Sequence, residues 1–75
     1  MKSLEAMATA ANAYDAVLQI RDRKKVPLAW AATQNNLGSA LFLLGKKANN
    51  LDRIEAAIDA FEAALEVYEL RHYLI

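Results

Sequence analysis

A chain of 75 residues without cysteine has room for one small domain, and neither disulfides nor thiolate metal sites can reinforce its thin core. Nine basic residues balance nine acidic ones, which weighs against a general polyanion binder. Hydrophobic residues are 56% of the chain, many of them alanine, yet no apolar run approaches the roughly 18 residues of a membrane span. Two glycines and one proline are few helix breakers, so an all-α fold over one domain, 1–75, is expected.

The N-terminal stretch MKSLEAMATAANAYD has the lysine and small residues of a signal peptide. Glu5, Thr9 and Asn12 make it too polar for an apolar signal core, so it reads as helix. Without a targeting signal or cysteine, the expected location is the cytoplasm.

The first predicted helix spans about 3–24, with Ser3 as N-cap. Leu4, Met7, Ala11, Tyr14, Leu18 and Arg21 recur every three or four residues, an amphipathic stripe widened by Ala10, Ala13 and Val17. Arg21, Arg23, Lys24 and Lys25 cluster at its end, where cations suit the helix dipole. Pro27 stops it.

The second helix, about 28–46, is apolar on more than one side and therefore needs cover on two faces. Gly38 in its middle costs about 1 kcal/mol relative to alanine, and a close helix crossing is the expected compensation. Gly45 and Lys46–Lys47 resemble a C-terminal stop, with Asn49–Asn50 in the turn.

The third helix, about 51–73, starts after Asn50 as N-cap. Leu51, Ile54, Ile58, Phe61, Leu65, Tyr68 and His72 recur every three or four residues as one sustained apolar stripe. Ala57, Ala60, Ala64 and Val67 form a second of smaller residues. Asp52, Glu55, Asp59, Glu62, Glu66 and Glu69 make an acidic row opposite. Charge is divided: residues 1–50 sum to +4 and residues 51–75 to −4, which favours head-to-tail or antiparallel self-contact.

The first and third helices match at an offset of 47 without a gap. Leu4/Leu51, Ala10/Ala57, Ala13/Ala60, Ala16/Ala63 and Leu18/Leu65 are identical; Tyr14/Phe61, Asp15/Glu62 and Ile20/Val67 are conservative. A period of this size in a helical pattern is that of a stacked helical array. The order is B–A–B, one full hairpin preceded by a lone second helix.

The stretches WAATQNNLGSALFLLG and AAIDAFEAAL resemble the tetratricopeptide repeat family, in the longer variety found in large bacterial arrays. The family pattern falls on Leu37, Gly38 and Leu41, on Ala57, Phe61 and Ala64, and on Ala10, Tyr14 and Val17. Gln34 replaces the usual aromatic three residues before Leu37, and the repeat exceeds the usual length of about 34. The resemblance implies antiparallel helices crossing at small residues, an α-solenoid fragment, and a concave groove that binds peptides or proteins. It also implies that an asparagine facing the groove clamps a ligand backbone, making Gln34, Asn35 and Asn36 candidate protein-binding residues.

Catalysis needs a nucleophile and a base that meet. One histidine, His72, and two serines, Ser3 and Ser39, offer no such set, so no enzyme activity and no cofactor are expected. His72 reads as a packing or interface residue. The acidic pairs 55/59 and 62/66 have metal-ligand spacing, but without a histidine partner they read as a solvated face, and no metal is expected. Arg21–Lys25 reads as a solubilising loop rather than a nucleic-acid contact.

The expected function is a non-catalytic protein-interaction or scaffold module that self-associates, most simply as a two-fold dimer. The alternative is a structural homo-oligomer, helix-swapped, with no ligand beyond itself. Leu4, Met7, Tyr14, Val67, Leu70, Tyr73 and Leu74 are the expected self-association residues, because the two end helices lack a covering neighbour.

Overall fold

The computed structural model describes residues 3–74, with side chains up to residue 70. It is all-α: α1 spans Leu4–Ile20, α2 Pro27–Ala48 and α3 Leu51–Leu74.

α1 starts where Ser3 Oγ accepts the Ala6 N–H at 3.2 Å, filling one of the vacant bonds of the first turn. It ends four residues earlier than the spacing predicts, at Ile20 rather than Lys24. Asp22 explains the difference. Its Oδ1 accepts the Lys24 N–H at 2.8 Å, and its carbonyl accepts the N–H groups of Lys25 and Val26. This local turn outcompetes the helix ladder. The basic cluster therefore lies past the helix, with no cation in the last turn.

α2 opens with Pro27 at its first position, where the missing N–H costs nothing, and runs two residues beyond the predicted 46. Gly45 does not stop it. Asn49 does, in the left-handed conformation at φ 54°, while the Asn49 and Asn50 N–H groups bond back to the Gly45 and Lys46 carbonyls. Asn50 then caps α3, its Oδ1 accepting from the Asp52 and Arg53 N–H groups at 3.0 and 3.3 Å.

α2 is the central element. α1 and α3 each pack on it, and among the described residues no Cα of α1 lies within 8 Å of one in α3. The α2–α3 hairpin is antiparallel, with Gly38 against Phe61 and Gly45 against Ile54 and Arg53. The two glycines, two turns apart on one face, let the backbones approach.

The core is built mainly of alanine. Ala11, Leu41 and Ala57 form one cluster; Ala31, Ala64 and Val67 form another, with Trp30 packed against it. Among the described residues no large side chain is fully buried. The molecule is elongated, 41 × 21 × 19 Å, with a radius of gyration of 13.0 Å. A globular chain of this length would have about 11 Å.

The sequence marks two apolar stripes on α3 without choosing between them. The buried face is the small-residue stripe, Ala57, Ala60, Ala64 and Val67, whereas Leu51, Ile58, Leu65 and Tyr68 are exposed. The reason is the glycine-mediated approach of α2: Phe61 and Ile54 fill the notches at Gly38 and Gly45, the alanines fit between the helices, and Leu51, Ile58, Leu65 and Tyr68 lie outside that contact.

Candidate functional site

Three open surfaces are set by the packing of α1 and α3 on α2, and the α1–α2 connection adds a hollow. The first is a groove of about 430 Å³ between α1 and α3, floored by Gln34, Leu37 and Leu41 of α2. Its walls carry Asn12 and Asp15 from α1, and Arg53 and Asp59 from α3. It is a trough with a polar rim, leucine in its floor and alanines of α1 and α3 along its sides.

The second is a groove of about 380 Å³ on the other side of α1, lined by Met7, Ala10 and Tyr14, and by Asn36, Ser39 and Leu43 of α2. The third is the outer face of α3. There Leu51 is 74% exposed, Ile58 49% and Leu65 57%, a line at heptad spacing. Glu55, Glu62 and Glu69 run beside it, all exposed.

The three amides do not form one site. Gln34 floors the first groove, Asn36 borders the second, and Asn35 is exposed and lines neither. Consecutive helical residues point about 100° apart, so a run of three fans outward rather than converging.

The expected self-association residues divide as well. Leu4 and Leu70 are exposed; Met7 and Tyr14 are half-buried and line the second groove. Val67 is a correction. It is 5% exposed, packed with Ala31 and Ala64 inside the α2–α3 hairpin, and offers no contact surface. The side chains of Tyr73, Leu74 and His72 lie outside the described residues.

Half of the basic cluster is engaged internally. Arg21 Nη1 donates to the Ala29 carbonyl at 3.2 Å and to Thr33 Oγ1 at 3.3 Å, tying the connection to α2. Arg23 pairs with Glu66 of α3, and its guanidinium lies 5.2 Å from the Trp30 ring centroid. Lys24 and Lys25 are exposed. Together with Ile20 and Val26 the connection forms a hollow of about 540 Å³, which sequence reasoning missed. Its sequence signal was an apolar residue, Ile20, directly before the basic cluster; Ile20 is 85% exposed.

Among the described residues no group of three His, Cys, Asp or Glu side chains is placed to hold a metal, and no helix is long and apolar enough to cross a membrane. Every buried side-chain nitrogen or oxygen among them has a hydrogen-bond partner. The one buried polar residue, Thr33, donates to Ala29 and accepts from Arg21, a structural arrangement. What the surfaces offer is therefore apolar contact and charge. Comparison with protein-family models, with curated proteins and with solved structures finds no match to this chain.

Proposed function

We propose that the protein is a non-catalytic interaction module of the tetratricopeptide type, working in the cytoplasm, whose open helix faces are covered by protein, first of all by a second copy of the chain. One observation carries this reading: the same helix face occurs twice, once covered and once open. On α3, Ala57, Ala60, Ala64 and Val67 are buried under α2. Their counterparts on α1, Ala10, Ala13, Val17 and Ile20, are half-buried or exposed. A face of that pattern gains stability when a helix covers it, at about 25 cal/mol for each Å² of apolar surface buried.

A helix-swapped dimer is a second form of the same association. Among the described residues α1 packs mainly on α2, so exchange of α1 between two copies retains most of its contacts, with Arg21–Val26 as the hinge. A peptide or protein ligand in the Gln34 groove is the corresponding role toward other molecules.

Amide hydrogen exchange at low and high protein concentration tests the proposal. Covering slows exchange in α1 and α3 as concentration rises, while α2, already sandwiched, changes least. An exchange pattern identical at all concentrations would overturn it.

A further inference from the structure

Two of the open surfaces are complementary to each other. The hollow at the α1–α2 connection is lined by Ile20, Val26 and Ala29 with the cations Arg21 and Lys25. Lys24 stands exposed beside it. Asp22 also lines it, but one of its carboxylate oxygens is held by the Lys24 N–H. Such a hollow fits an apolar side chain flanked by carboxylates.

The outer face of α3 presents that chemistry in repeated form. Leu65 lies between Glu62 and Glu69, three residues before and four after it on the same side of the helix. Ile58 lies between Glu55 and Glu62 in the same way. The counterpart of this line in the repeat on α1, Leu4, Ala11 and Leu18, is covered at Ala11, 3% exposed beside Leu41 and Ala57, and open at Leu4. Two α3 faces packed on one another would instead set the Glu55, Glu62 and Glu69 rows side by side, a repulsive arrangement.

We propose that the Ile58–Leu65 face of α3 docks into the basic hollow around Ile20 and Lys25 of a second copy, and that the contact is reciprocated about a two-fold axis. The occupant is this same chain because each copy carries both halves, the +4 and −4 segments of one sequence. A two-fold pair satisfies both at once and leaves neither open for a third copy. The proposal rests on the self-association reading and gives that contact its place.

Charge reversal with mixing tests it. One variant carries Glu62→Lys and Glu69→Lys; the other carries Lys24→Glu and Lys25→Glu. All four sites are exposed, and circular dichroism checks that both variants remain helical. Sedimentation equilibrium is expected to show each variant alone associating at least about tenfold more weakly than the parent. An equimolar mixture of the two regains the parent's affinity, because both of its contacts are again between opposite charges. Parent association that weakens as salt is raised is the second expected reading. Variants that associate as tightly as the parent, or a mixture that stays monomeric, would overturn the proposal and leave self-association elsewhere on the surface. A parent that is monomeric at every concentration would overturn both.

Discussion

A Cβ built on Gly38 stands 2.7 Å from Cε1 of the Phe61 ring, nearer than two carbon atoms can rest. The missing side chain is therefore what sets the spacing between α2 and α3. Gly38→Ala gains helix propensity, worth about 1 kcal/mol, but overpacks the crossing, which costs about 1–3 kcal/mol. The expected net result is destabilisation by about 1 kcal/mol in urea unfolding. Adding Phe61→Leu makes room for the methyl group, so the double variant loses less than the sum of the singles.

Ala57 and Ile58 are neighbours in sequence and opposites in the fold, the first fully buried and the second half exposed. Ala57→Leu is expected to cost about 1–3 kcal/mol by overpacking the contact with α2. Ile58→Gln is expected to change the stability of the dilute protein by no more than about 0.5 kcal/mol. Thermal melts of both variants at low concentration make the comparison.

The turn between α1 and α2 has its own control within the chain. At the offset of 47, Asp22 corresponds to Glu69 and Pro27 to Leu74, and there α3 continues as helix where α1 stops. Glutamate is a better helix former than aspartate, and leucine restores the N–H that proline lacks. Asp22→Glu with Pro27→Leu is therefore expected to lengthen α1 toward α2. The readout is a gain in helical ellipticity, with helical chemical shifts appearing in residues 21–26. A turn that keeps its coil shifts would show that Arg21 and Arg23 hold it instead.

Arg21 donates to both Ala29 and Thr33. Arg21→Ala leaves Thr33 with its own bond to Ala29 and loosens the connection. Because Arg21 is exposed, the expected loss is modest, about 1 kcal/mol, measured by urea unfolding. Arg21→Lys, whose ammonium sits on a shorter stem and must reach both of the same acceptors, is expected to recover only part of it.

Helix number and order were legible because the breakers are few and well placed: Pro27 opens α2, and Asn50 caps α3. The close crossing at Gly38 was legible from the cost of an unpaid mid-helix glycine. Which face of α3 would be buried was not. Both stripes are periodic, and periodicity reports that a face is apolar, not how near its neighbour lies. The choice falls to Gly38 and Gly45, on a different helix, which admit Phe61 and Ile54 and so bring the alanine stripe under α2. The end of α1 was misread for a local reason, the side-chain bond of Asp22, which competes with the helix over two residues. The amides Gln34, Asn35 and Asn36 were grouped by adjacency, while the helix assigns them to separate surfaces.

The account rests on association, and molar mass in solution tests it most directly. Light scattering across a wide concentration range is expected to approach twice 8.3 kDa as concentration rises. A folded helical monomer of 8.3 kDa throughout would contradict it, because the open faces of α1 and α3 would then be stable in water without a partner.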